Sequence, residues 1–173
     1  MIENNIGYFC TLENFNNIEK KIALRLIDNQ NLLKLLYYNG TDALSQPDLN
    51  DEQRYSMINQ INQEHTKIFF SPYPSNTEEE KLSQIRITVD KITPKNNILS
   101  DIVFRCDVIV HNDLWAIDNG DTRPRQLVVE MLKSLNGKEV DGLGLLYFKY
   151  DITQQRFSKN HSGYCLFPKT SGI

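Results

Sequence analysis

Helices packed on one face of a twisted, mainly antiparallel sheet of about five strands: this α+β class is what the sequence predicts, on three observations. Apolar residues recur near every 3.6 positions in one stretch before residue 40 and another after residue 122. In the stretches between and beyond, they alternate with a period of two. The connections are short enough for antiparallel neighbours, and segregating the helices on one face buries the apolar bands while leaving the polar second faces of the strands to solvent. The 173 residues, 40% hydrophobic, read as a leader at 1–12 followed by a single domain at 13–173. A chain of this length buries roughly 70% of its unfolded surface without splitting.

Taken in order, residues 12–38 carry a helical stripe of Ile18, Ile22, Leu26, Leu33 and Leu36, with Lys20, Lys21, Arg25 and Lys34 largely off it. The poor helix formers Asp28-Asn29-Gln30-Asn31 leave open whether this is one helix or two, and Asn39-Gly40 supplies a stop. A loop over 41–49 leads to Asn50-Asp51-Glu52-Gln53, an N-cap with its reciprocal partner three positions on. The helix expected over 51–64 has only Tyr55, Ile58 and Ile61 on its stripe, so it should lie on the surface. Strands follow: Ile68-Phe69-Phe70, then Ile85, Ile87 and Val89 in alternation, then 102–110, whose Ile102, Phe104, Cys106, Val108 and Val110 should face the core. Trp115 sits in a turn. A helix capped by Asp121 or Thr122, with Pro124 in its first turn, runs to Asn136-Gly137. An interior strand over 143–150 and a last strand over 163–167 complete the order, before a small polar tail.

The functional classes narrow by exclusion. With 19 basic and 22 acidic side chains the net charge is −3, which gives no global pull toward nucleic acid. No apolar run approaches the ~20 residues needed to cross a bilayer, and Met1-Ile2-Glu3-Asn4-Asn5 lacks the basic start and long apolar core of a signal peptide. Cys10, Cys106 and Cys165 are odd in number and far apart, and read as free thiols. There is no Gly-Lys-Ser/Thr phosphate loop and no Gly-x-Ser-x-Gly elbow. The sharpest cluster is Asp107, His111 and Asp113, a candidate divalent-metal segment for a small nuclease. On a strand, however, Asp107 and His111 stand about 13 Å apart at roughly 3.3 Å per residue, too far to share one ion. No catalytic, cofactor or metal residue is therefore assigned, and no cofactor is expected.

What remains points outward. Arg123 and Arg125 flank Pro124 at a helix start, where positive charge opposes the helix dipole, a misfit that an external carboxylate or phosphate would relieve. Trp115 and Tyr37-Tyr38 are amphipathic side chains of the kind enriched at interfaces, and Tyr8 and Phe9 lie in a leader that can pack as an arm across a neighbour. Subunit contact is therefore expected at Tyr8, Phe9, Tyr37, Tyr38, Trp115, Arg123 and Arg125. Residues 41–66 hold Asp42, Asp48, Asp51, Glu52 and Glu64 against Arg54 alone, a patch that would repel phosphate.

The whole-chain pattern resembles the phage virion proteins that join head to tail, particularly the tail-terminator group. The resemblance rests on Leu33-Lys34-Leu35-Leu36-Tyr37-Tyr38 with Leu44-Ser45-Gln46-Pro47-Asp48-Leu49, on the 102–110 strand running into Asn112-Asp113-Leu114-Trp115, and on Arg123-Pro124 with the helix after it. It ends with Leu143-Gly144-Leu145-Leu146-Tyr147-Phe148 and Ser162-Gly163-Tyr164-Cys165-Leu166-Phe167. It implies a structural protein of the virion neck, assembled in the host cytoplasm and not an enzyme. Such a protein forms a homo-oligomeric ring, commonly hexameric, that caps the tail tube, meets a head-side connector, and lets DNA pass through its lumen without sequence-specific binding; no membrane is involved. The Asn- and Gln-rich 51–64 segment and the Glu78-Glu79-Glu80 loop exceed a minimal terminator, which leaves a stopper or an adaptor as the alternative layer.

Overall fold

The computed structural model describes residues 18–59, 61, 64–71, 80–95, 100–140, 143–148 and 152–171. The leader, with Tyr8 and Phe9, lies outside the described residues.

The first helical stripe folds as two helices, α1 (Ile18–Leu26) and α2 (Gln30–Tyr37). The break falls at Asn29, whose side-chain oxygen accepts the Leu32 amide as an N-cap at 3.1 Å. Its amide group donates to the Glu130 carbonyl at 3.2 Å, Glu130 Oε2 at 3.0 Å and Ser134 Oγ at 3.0 Å. One short polar side chain thus ends one helix, starts the next and ties the corner to the later helix α4 (Arg123–Leu135). The surface helix α3 (Asp51–Ser56) has the anticipated capping box between Asn50 and Gln53 and buries no residue of its own. It is shorter than the expected 51–64: beyond Ser56 the chain turns, and Met57 is buried and Ile58 packs on the core from outside the helix.

The sheet comprises β1 (Ile68–Phe69), β2 (Ser83–Pro94), β3 (Ser100–His111), β4 (Lys138–Val140), β5 (Gly144–Tyr147), β6 (Thr153–Arg156), β7 (His161–Leu166) and β8 (Lys169–Ser171). Its spatial order is β1-β2-β3-β8-β5-β4, with β7 beside β3 and β6 beside β7. The segments β7 and β8 both run antiparallel to β3, and β5 and β6 run antiparallel to β8 and β7 in turn. The eight segments therefore fall on six lines: β5/β6 is one interrupted strand, and β7/β8 is another. Only β1 is parallel to its neighbour, β2. The α+β architecture with a mainly antiparallel sheet is as the sequence indicates. The segments missed are β4, β6 and β8, each three or four residues of largely polar sequence, which pair through the backbone of a neighbour and carry no periodicity of their own.

One face of the sheet is the core. Ile85 and Ile87 from β2, the five residues from Ile102 to Val110 that share a face of β3, Leu146 from β5 and Leu166 from β7 are buried there. Against them pack Ile18, Ile22 and Leu26 of α1, Leu32, Leu33 and Leu36 of α2, and Leu127, Met131 and Leu135 of α4. Each fully buried Leu or Ile contributes roughly 1.5–3 kcal/mol. The second face departs from the solvated surface expected of it, since Gln84, Asp107, Ile109, His111, His161 and Cys165 are buried too.

At the centre of β7, Gly163 lies opposite Ile109 of β3. A Cβ at this position would stand 1.9 Å from the Val108 carbonyl oxygen and 2.9 Å from its carbon, both backbone atoms. Relief would require the two strands to part. Gly163→Ala is therefore expected to lower the unfolding free energy by about 2–3 kcal/mol, read as a drop in urea midpoint at unchanged m value.

Candidate functional site

The chemistry of the chain concentrates where α2 ends, β3 ends and α4 begins. Arg123 is the first residue of α4 and is fully buried. Its Nε donates to the Leu114 carbonyl at 2.8 Å, Nη1 to the carbonyls of Leu35 at 2.7 Å and Tyr38 at 2.6 Å, and Nη2 to that of Gly40 at 2.6 Å. Its backbone N–H donates to the Trp115 carbonyl at 2.8 Å. Four of the five side-chain donors thus end on backbone oxygens, and these bonds include no carboxylate. The carbonyls at a helix C-terminus have no intrahelical partner and carry the negative end of the helix dipole, so the last turn of α2 supplies much of the counter-charge. Burial pushes the Arg123 pKa down from its ordinary value, yet a guanidinium stays protonated at neutral pH.

The loop from β3 to α4 is shaped around this contact. A 3-10 turn at Asn112–Leu114 carries the chain off β3, and an isolated bridge between Ala116 and Thr122 closes the loop at its base. Inside it Asp118 N–H donates to Thr41 O at 3.0 Å, and Gly120 takes φ +81°, a conformation costly for any side chain. Asp121 accepts the Thr122 amide at 2.7 Å and Gln126 Nε2 at 2.7 Å, while Arg125 reaches it at 3.3 Å. Thr122 occupies the N-cap position without a side-chain bond. Between this loop and residues 41–45 lies an open cleft of about 280 Å³, lined by Thr41, Asp42, Leu44, Ser45, Ile117, Asp118 and Asn119.

The Asp107, His111 and Asp113 segment is dispersed. Asp107 accepts from Arg105 Nε at 3.0 and 3.1 Å. His111 Nδ1 accepts the Asp113 amide at 3.2 Å, and Lys81 pairs with the Asp113 carboxylate. The His111 ring stands edge-on to His161 with centroids 5.1 Å apart, and His161 bonds Ser158 Oγ and the Glu80 carbonyl, each at 3.1 Å. Among the described residues no group of three or more His, Cys, Asp or Glu side chains is placed to hold a metal ion. Cys106 and Cys165 are free and buried. Burial, with Asp107 adding to it, pushes the Cys165 thiol up to about 12, far from a reactive thiolate at neutral pH.

The residues expected at subunit contacts fall in different places. Arg123 is a correction: its donors are taken up inside its own domain, by carbonyls 83 to 88 positions earlier in the chain and by Leu114. Tyr37 and Tyr38 are half-buried against the core with rings at 5.1 Å, their hydroxyls held by Gln53 and the Pro47 carbonyl. Trp115 is half-buried as well, with its indole N–H shielded and making no hydrogen bond among the described residues. Of these five described residues Arg125 alone is exposed, on the rim beside Asp121. The cleft itself was missed. Its linings come from two loops some 75 positions apart, and only the acidic excess over 41–66 hinted at one wall.

A family model described as YomW matches residues 29–170, which takes in α2, α4, β1 to β7, most of β8 and both loops of the cleft. No curated protein and no solved structure matches the chain.

Two outcomes follow from this geometry. Replacing Arg123 with Met leaves several buried carbonyls without donors at ~1–3 kcal/mol each, so a loss of about 3–5 kcal/mol is expected in equilibrium urea unfolding. Asp101 supplies the pH dependence: hydrogen bonding from Lys95 (2.7 Å) and then Lys169 (2.9 Å) holds its pKa below the ordinary carboxylate value against the opposing effect of burial. A depressed folded-state pKa stabilises above the unfolded value, near ~4, and that stability is lost as pH falls through the folded value. Asp101→Asn should therefore lower the urea midpoint at pH 7, with the gap to wild type closing as pH drops below about 4.

Proposed function

The chain belongs to the YomW family, which is phage-associated, and on that premise we propose that it is a structural protein of a tailed-phage neck, the terminator that caps the tail tube and meets the head-side connector. The observation that carries this reading is the family match over 29–170, which spans the same elements that resemble the head-to-tail joining proteins. Supporting it, several of the polar groups inside the fold are engaged with one another: Arg123 with carbonyls, Asp107 with Arg105, His161 with Ser158 and the Glu80 carbonyl. They serve shape. No helix of the described residues is long and apolar enough to cross a membrane.

In this reading the protein acts as a homo-oligomeric ring, hexameric by analogy with terminators, through whose lumen DNA passes without sequence readout. It does no covalent chemistry and needs no cofactor. A ring subunit must present two different surfaces to identical neighbours. The acidic 41–66 stretch is suited to a lumen or a rim from which DNA is repelled.

Composition of purified particles tests the role. The protein should be recovered in whole virions and in isolated tails, in constant copy number. A null mutant should accumulate filled heads and tails that are unjoined and of uncontrolled length. Its recovery with heads alone would assign it to the stopper or adaptor layer, and its absence from purified particles would overturn the reading.

A further inference from the structure

The two edges of the sheet are finished differently. At β1 the Lys67 and Ile68 amides both donate to Met57 O at 2.9 Å, and Thr66 Oγ1 donates to Asn59 O, so the turn after α3 lies along that edge. The opposite edge is only half filled. There β4 lies beside β5, with Lys138 opposite Leu146 and Val140 opposite Gly144. The line begins where α4 delivers the chain to the sheet, at Gly137, whose amide donates to Leu146 O at 2.7 Å. Among the described residues nothing continues it beside β6, which pairs with β7 alone.

The vacant place presents backbone. The Phe157 amide donates to His161 O at 2.9 Å, so by the alternation of an antiparallel ladder Gln155 and Thr153 also turn their polar groups to β7, and those of Gln154 and Arg156 point outward. All four residues of β6 are exposed, as is Ile152 just before them. The strand holds no proline and keeps an unbroken register against β7, two of the devices that otherwise guard an edge. An open ladder of this kind takes up an extended segment through main-chain hydrogen bonds, and the side chains alongside add selectivity.

The chemistry of the chain selects the occupant. Seventeen residues precede Ile18, outside the described residues. Within them Ile6-Gly7-Tyr8-Phe9-Cys10-Thr11-Leu12 is uncharged, free of proline and rich in aromatic and β-branched residues, the composition of a strand, and it is long enough to cover β6. Glu3 and Glu13 flank it, and the seventeen residues hold no lysine or arginine. Residues 152–160 are the complement, with Arg156 and Lys159 exposed and no acid. A second β6 edge fits less well, because it would bring two sets of these bases into one seam. We propose that residues 6–12 of one copy add as a strand along the open edge of β6 in the next copy. This rests on the ring reading and specifies its contact. Each copy gives an arm and receives one, a heterologous pairing that repeats around a ring and does not stop at a dimer.

Two variants of the full chain test it by sedimentation velocity. Gln154→Pro removes an outward N–H and leaves the bonds from β6 to β7 in place. Tyr8→Pro combined with Phe9→Pro removes donors from the arm. Wild type should form multimers, and each variant alone should associate more weakly by about tenfold or more, with circular dichroism unchanged. Mixed in equal amounts, the two should form dimers and nothing larger, because only the intact arm of the first and the intact edge of the second can meet. Cross-linking identifies the donor independently of these substitutions. Gln154→Cys places a thiol on exposed β6, while Cys106 and Cys165 are buried. Oxidation with copper phenanthroline should join that thiol to Cys10 of another copy, giving a ladder of multimers on a non-reducing gel. Wild type that stays monomeric, variants that associate as wild type does, a mixture without dimers, or a link formed within one chain would each overturn the pairing. None of these would touch the neck assignment, which particle composition decides separately.

Discussion

A buried cation that binds backbone carbonyls and has no ion-pair partner among the described residues is the constraint on which this end of the molecule depends. Arg123 is fully buried and binds carbonyls from α2, from the chain just beyond α2 and from the turn after β3. Desolvating a charge is expensive, and what offsets the expense here is an array of dipoles fixed by secondary structure. The array exists only if α2 stops where it does, if the 3-10 turn leaves β3 at His111, and if α4 begins at residue 123. One side chain thereby fixes the relative positions of three elements. Both loops of the cleft hang from those elements.

The same contact explains why so much of the architecture was legible and the site was not. Where a segment packs on the core by its own periodicity, as 102–110 and 123–135 do, the pattern gives type and inward face together. Asn29 shows the next level: its poor helix propensity marked a break, while its three bonds to α4 residues more than a hundred positions on could not be foreseen. Arg123 shows the limit. The sequence marked a cation misplaced at a helix N-terminus and suggested an outside partner; the partner is the C-terminus of another helix, and helix ends meet only in the folded chain. The short strands β4, β6 and β8 belong to this class too, because their pairing is dictated by the edge they join.

Burial on the second face of the sheet adds to this picture. Asp107 and His111 looked like groups available for chemistry, and each is shielded and occupied: Asp107 by Arg105, His111 by the Asp113 amide. Polar groups this well satisfied favour a single rigid arrangement. Rigidity of this kind is what the structural role proposed above would use.

Native-state hydrogen exchange followed by NMR on the intact chain tests the central role of Arg123 most directly. If the guanidinium closes this end of the fold, its side-chain N–H protons should be protected and should open with the same free energy as the amides of α4 and central β3, far above those of the exposed Arg156. Exchange of the Arg123 protons as fast as those of Arg156, with α4 and β3 still protected, would show that the core stands without this contact and would contradict its role as the organising interaction.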